Sequence, residues 1–248
     1  MKHSGNAAAF QPSWTIFPEL EPVPLGVQTR LPGWRKPPTQ PATPSTSVEQ
    51  GGRIKAATLC FSNMNGHGDL LVRFLKARKE TFIDRLGWNL PQNEGMEFDQ
   101  YDTPFCHWVV IHEFGEILGG VRLIPTTARC GVYSYMLRDA QNGILENIPT
   151  DVLFFPAPSE DRIWEASRLF IAPSVPAQRR HFLQKVLMER LSSSARDLGA
   201  MHVIGIVPAV WSRWLRRLDL GAVPVGPRFS IEGTQSQAAL FNVANYVN

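Results

Sequence analysis

The alternation of apolar and polar residues along this chain changes character at Ala57. Residues 57–63 read as a strand, and Asn65-Gly66-His67-Gly68 as the turn that ends it. Asp69 is placed to cap a helix, and Leu70, Leu71, Phe74, Leu75, Phe82, Ile83 and Leu86 follow at helical spacing. Apolar runs at 108–112 and 117–124 flank Glu113-Phe114-Gly115-Glu116, the pattern of a hairpin. Residues 163–171 form a further strand. Pro176 suits the first position of a helix whose stripe is Phe182, Leu183, Val186, Leu187, Leu191, Ala195 and Leu198, closed by Gly199. A buried strand at 203–207, a helix at 209–218 and one or two strands from Val223 complete the series. This order predicts a mixed α/β sheet with helices on both faces.

Upstream of Ala57 the pattern is different. Residues 1–56 hold nine of the twenty prolines, densest over Pro37-Pro38-Thr39-Gln40-Pro41-Ala42-Thr43-Pro44. Proline removes amide donors and favours extended chain, so no packed element is expected there. The division predicted is a flexible Pro-rich extension, 1–56, and a domain, 57–248. Trp14, Phe17 and Trp34 are the extension's candidates for docking on a surface.

Composition narrows the class. Of 248 residues 44% are hydrophobic and 19% charged, enough for a core and too apolar for a wholly disordered chain. No apolar run reaches the roughly 18–20 residues of a membrane span, and the first ten residues lack a secretory apolar core, so a cytoplasmic protein without membrane attachment is expected. Cys60, Cys106 and Cys130 are odd in number and far apart, and the six histidines form no HExxH pattern, so neither disulfides nor a metal are expected. A net charge of +3 is too small to argue for nucleic acid.

The candidate chemistry lies in charges set among apolar residues. Arg78 stands four residues from both Phe74 and Phe82, on the apolar side of its helix. A guanidinium turned inward needs an anion, whereas one at the stripe's edge would only reach for solvent. Glu97, Asp99 and Asp102 crowd three carboxylates together, requiring either cations or full hydration. Facing an inward arginine they would hold a zwitterion such as an amino acid. Glu165 and Arg168 share the strand at 163–171, where residues three apart point to opposite faces unless a bulge intervenes. Arg122 follows Gly119-Gly120 in an apolar strand, beside backbone that lets a ligand or another chain segment approach closely.

Eight of these positions in register (Arg78, Phe82, Trp88, Asp99, Asp102, Arg122, Glu165 and Arg168) resemble the signature of the LuxI-type acyl-homoserine lactone synthases. The resemblance covers roughly 57–248. It implies a GNAT-like acyltransferase fold, with a mostly antiparallel central sheet flanked by helices. It also implies a reaction: an acyl group passes from a thioester on acyl carrier protein or coenzyme A to the amine of S-adenosylmethionine. Lactonisation then releases 5′-methylthioadenosine. S-adenosylmethionine is here a substrate, and no cofactor is implied. Amide formation needs a group to take the amine's proton: Glu165, through a water, is the candidate base, with Asp99 the less favoured alternative and Arg168 beside them. Arg78, Phe82, Trp88 and Asp102 would surround S-adenosylmethionine, with Phe82 and Trp88 against the sulfonium. Arg122 and Arg168 would pair with the carboxylates.

Three departures shape the details. The stretch 172–180 lacks the Gly-rich pyrophosphate loop of acetyl-coenzyme A enzymes. Leu169 replaces an aromatic, and Gly205 stands where relatives selective for 3-oxo chains carry threonine, favouring unsubstituted or hydroxylated chains. Arg179, Arg180 and Lys185, joined by Arg213, Arg216 and Arg217, make either a solvated face or a docking face for acidic acyl carrier protein. The protein is expected to act as a monomer. Two other functions stay open: an N-acyltransferase for another amine, without lactonisation, and an inactive relative serving as a binding module.

Overall fold

The computed structural model describes residues 53–209, 211, 221–231 and 233–244. The Pro-rich extension up to residue 52, the predicted helix at 209–218 apart from Ala209 and Trp211, and Arg213, Arg216 and Arg217 lie outside the described residues. Nine strands and three α-helices are described: β1 (Ile54–Leu59), α1 (Leu70–Lys79), β2 (Gln92–Asn93), β3 (Met96–Glu97), β4 (His107–Glu113), β5 (Glu116–Pro125), α2 (Met136–Gln141), β6 (Ile163–Ile171), α3 (Ala177–Asp197), β7 (His202–Pro208), β8 (Ala222–Ile231) and β9 (Thr234–Asn242). Seven strands form one sheet in the order β1-β4-β5-β6-β7-β9-β8, and β2 with β3 make a separate ribbon. Among the described residues, only β6 and β7 run parallel; every other pair in the main sheet is antiparallel.

Most predicted elements are present, with informative shifts at their ends. β1 begins three residues before Ala57 and ends at Leu59, because Cys60–Asn63 close a turn in which the Asn63 side chain bonds back to Cys60 and Thr58. Asp69 flanks α1 without capping it; its carboxylate instead accepts from Arg73 Nε at 2.8 Å. The helical stripe is not one α-helix. α1 passes at Glu80 into a π-helical turn through Arg85, a distortion found preferentially at functional sites. The hairpin turns on Phe114 and Gly115, with φ of 52° and 87°, the geometry of a two-residue type I′ loop. Pro176 precedes α3 as its flanking residue rather than opening it.

Register fixes which residues share a face. Trp108 pairs with Arg122, and Arg122 with Ser167, so these three, with Gly120 and Glu165, point one way. α1 covers that face so closely that a Cβ on Gly120 would lie 2.5 Å from the Phe74 ring, which explains the glycine. α3 covers the other face: Thr58, paired with Val109, shares a 2.7 Å hydrogen bond with Ser194. β5, buried from Ile117 to Ile124, runs between the two layers, and its continuous apolar run reflects burial on both faces.

Two irregularities in this sheet make room for a site. Between the pairs Gly120–Phe170 and Arg122–Ser167, β5 spends one residue and β6 two, which is a bulge at Arg168 and Leu169. Arg168 there has φ of 55°, in the left-handed region that a non-glycine residue rarely occupies. Further along the sheet, the parallel pairing of β6 with β7 stops at Ala166–Gly205, while β7 stays paired with β9 as far as Pro208. Beyond that rung the two strands part. Among the described residues no helix is long and apolar enough to cross a membrane.

Candidate active site

Three arginines and three carboxylates interlock on the α1 face of the sheet. Arg78 Nε donates to Glu97 at 2.5 Å, and its two terminal nitrogens grip Asp102 at 2.7 and 3.0 Å. Arg122 donates to Asp99 at 2.5 and 3.3 Å, lies 3.0 Å from Asp102, and sends Nε to Ser167 Oγ at 3.0 Å. Arg168 bridges Glu97 at 3.1 Å and Asp99 at 2.8 Å. The Trp108 indole N–H and the Asp99 backbone N–H complete the shell of Asp102, and the Tyr101 N–H donates to Asp99.

The six charges sum to zero; Arg78, Glu97 and Arg122 are buried, and the side chains of Asp99, Asp102 and Arg168 are at most 10% exposed. Burial alone would push the aspartates towards protonation. Arg122 with Arg168 holds Asp99 below the ordinary carboxylate range, and Arg122 with Arg78 holds Asp102 well below it.

A cavity of about 330 Å³ opens beside this network, within the range of small-molecule sites. Phe82, Trp88, Asp99, Gln100, Tyr101 and Arg168 line its polar and aromatic end. Phe82 stacks on Trp88 with centroids 5.2 Å apart, and the Arg168 guanidinium lies 5.7 Å over the Phe82 ring. Met136, Leu145 and Ile148 supply apolar wall, and through the gap between the parted strands the lining continues to Gly205, Val207, Met188 and Leu191.

The structure thus sorts the residues singled out in the sequence. Phe82, Trp88, Asp99, Arg168 and Gly205 reach the cavity. Arg78, expected beside S-adenosylmethionine, does not line the cavity. Its side chain is fully buried and all three of its nitrogens are taken by Glu97 and Asp102, so it braces the site from behind. Asp102 and Arg122 are likewise absent from the lining.

Glu165 shares the face of Arg122, and the bulge brings Arg168 round to the same carboxylates, but only Arg168 meets the cavity. Both oxygens of Glu165 accept backbone N–H groups at the start of α2, from Met136 at 2.9 Å and Leu137 at 2.8 Å. Burial pushes its carboxyl up to about 7, against the pull of those two N–H groups.

The expected docking face is also altered. Arg180 is buried, at 5% exposure, and donates to the carbonyls of Ala172 and Ile171 at the end of β6, so it is unavailable to a partner. Arg179 pairs with Glu113 at 3.1 Å, and Lys185, on the open side of α3, stands 3.8 Å from Glu189. Gly205 is required by the strand pair itself: a Cβ there would lie 2.5 Å from the Ala166 carbonyl oxygen.

Several contributors escaped the sequence reading. Tyr101 lies between two of the chosen aspartates, and its ring carries the Arg122 guanidinium at 5.5 Å. Ser167 and Trp108 bond to network members through side chains that the sequence shows only as strand residues. Met136 belongs to a six-residue helix too short to leave a periodic pattern.

A mixed sheet with one parallel pair, parted beside a cavity, is the architecture of the GNAT-like acyltransferases. An acyl-CoA N-acyltransferase from Pseudomonas aeruginosa shares the fold, with a TM-score of 0.51 at 14% identity, over 75% of this chain and 98% of that one. Within that class the assignment is narrower: residues 64–245 match the autoinducer synthase family, and the chain belongs to it. It is similar to an acyl-homoserine-lactone synthase of Acinetobacter nosocomialis, 30% identical over 192 residues, 74% of this chain and 97% of that protein. TofI, solved in a ternary complex with an inhibitor and MTA, is 25% identical with a TM-score of 0.60, covering 76% of this chain and 91% of TofI.

Proposed function

We propose that this chain is an acyl-homoserine lactone synthase acting in the cytoplasm. It joins the acyl group of a thioester, carried on acyl carrier protein or coenzyme A, to S-adenosylmethionine. The observation that carries this reading is one cavity with Asp99 and Arg168 beside two aromatic rings, continuous between parted strands with apolar wall. An ammonium beside Asp99, a carboxylate beside Arg168 and a sulfonium against Phe82 and Trp88 account for the three charges of S-adenosylmethionine. The acyl chain occupies the apolar part.

The chemistry follows from that placement. The neutral amine attacks the thioester carbonyl; a C–N bond forms, the C–S bond breaks, and the thiolate leaves and takes a proton. An α-amine titrates near 8 in water, so a tenth or so of it is already neutral near pH 7 and the proton acceptor need not be strong. Holding amine and carbonyl in contact can remove about 7–11 kcal/mol of the barrier. In the second step the substrate's own carboxylate oxygen attacks the γ-carbon, the C–S⁺ bond breaks, and 5′-methylthioadenosine departs as a neutral thioether. Ring closure is intramolecular, so orientation by Arg168 and Asp99 suffices.

Incubating the full chain with S-adenosylmethionine and a panel of acyl thioesters, followed by mass spectrometry, tests the proposal. Acylated homoserine lactone and equimolar 5′-methylthioadenosine are expected. With other amines added in place of S-adenosylmethionine, acyl transfer to one of them without methylthioadenosine would make the protein an N-acyltransferase, and no transfer to any amine would make it a binding module.

A further inference from the structure

Glu165 is the one buried carboxyl of the signature that neither joins the arginine network nor faces the cavity. Its side chain is fully buried, and both oxygens are committed to the N–H groups of Met136 and Leu137. The first-turn amides of a helix have no partner inside it. Tyr135, which flanks α2, makes no side-chain cap. The cap comes instead from a strand almost thirty residues along the chain, and a second carboxylate, Asp139, receives the Ser134 N–H with both oxygens. Met136, whose N–H Glu165 holds, lines the cavity, and so do Leu145 and Ile148 just after α2.

We infer that Glu165 is a positioning residue: it fixes the first turn of α2, and with it Met136, as wall for the acyl chain, rather than accepting the amine proton. A general base needs a lone pair within hydrogen-bond reach of the proton, directly or through one water. Glu165 turns its oxygens to the helix instead. The groups that act electrostatically with it are Arg122 from β5, Asp139 and Tyr135 from the α2 segment, and Tyr101 from the loop before β4. This inference rests on the synthase reading above.

Glu165→Gln and Met136→Ala separate the two roles. A positioning role predicts that both raise KM for the acyl thioester, Glu165→Gln by about tenfold through the loss of a charge-assisted bond and Met136→Ala through the loss of apolar wall. Both also shift chain-length preference in the same direction, and in Glu165→Gln kcat at saturating thioester keeps its wild-type dependence on pH. Loss of the acid limb in Glu165→Gln with chain preference intact would make Glu165 the base and overturn the inference. An unchanged preference in Met136→Ala would overturn it too, and that variant carries the test should Glu165→Gln fail to fold. If the wild type makes no product with any thioester, the synthase reading fails on its own. Amide exchange still decides the anchor then: the Met136 and Leu137 N–H groups should exchange about tenfold faster in Glu165→Gln, and unchanged exchange refutes it.

Discussion

Arg122 and Ser167 face each other across β5 and β6, joined by a 3.0 Å hydrogen bond, and they are the last pair in register before the bulge. The next residue, Arg168, is thereby turned onto the carboxylate that Arg122 already holds, so Asp99 lies between two guanidiniums. Strand alternation alone would have sent Arg168 to the far side of the sheet. The left-handed backbone at Arg168 is the local cost of this arrangement.

The fork of Arg168 should therefore matter more than its charge. Arg168→Lys keeps one positive group but cannot span Glu97 and Asp99 together. Losing one charge-assisted bond costs about 1.5–3 kcal/mol, so kcat/KM should fall by about 10- to 100-fold. Steady-state kinetics with S-adenosylmethionine and an acyl thioester measure this, and an unchanged value would show the fork to be dispensable.

Arg78 calls for a different assay. Removing it strands Glu97 and Asp102 in the interior, because its three nitrogens are their main counter-charge on that side. Breaking a buried pair from one partner costs about 3–5 kcal/mol, so Arg78→Ala should lose that much unfolding free energy in a denaturant titration. A loss below 1 kcal/mol would mean that the cluster relaxes or hydrates freely.

How much of this was legible follows from where each signal resides. β6 was read to its exact ends, because apolar residues bound it on both sides, Ile163-Trp164 and Leu169-Phe170-Ile171. The hairpin showed itself through Phe114-Gly115 between two apolar runs. The charged residues announced themselves by standing where packing alone disfavours charge, but the sequence held no information on which of them reach the cavity. That depends on the bulge, which is set by tertiary pairing. The helical phase of Arg78 is compatible with either depth, and only the partners Glu97 and Asp102 set it behind the cavity. Arg180 looked exposed since no periodicity reveals that the carbonyls at the end of β6 lie within its reach. α2 went unseen because six residues stabilised by a remote Glu165 carry no cap of their own.

Two sets of carboxyls impose opposite slopes on stability. Asp99 and Asp102 have folded pKa values below their unfolded ones, so their contribution is complete above about pH 4 and is lost as pH falls through the depressed values. Glu165 is raised to about 7, so its contribution is complete below about pH 4 and is lost as pH rises towards 7. The imidazoles of His107 and His112, lowered by burial, act like the aspartates and lose stability towards acid. Comparing wild type with Glu165→Gln isolates the glutamate. From pH 5 to 8 the wild-type melting temperature should fall relative to the variant, and a constant difference would show that Glu165 does not titrate in that range.

Gly205 offers a last separation between strand geometry and substrate choice. A threonine placed there would bring its Cβ to 2.5 Å from the Ala166 carbonyl, at the rung where β6 and β7 last touch. Neither partner is a flexible side chain, so the strands must shift, and overpacking of this kind costs about 1–3 kcal/mol. Gly205→Thr should lower unfolding free energy by that amount and reduce turnover for acyl chains with and without a 3-oxo group alike, since the parting of the strands moves for both. Denaturant titration and a panel of matched thioesters measure the two effects. A variant that folds with wild-type stability and gains preference for 3-oxo chains would show instead that the hydroxyl enters the cavity and that the backbone at Ala166 yields to it.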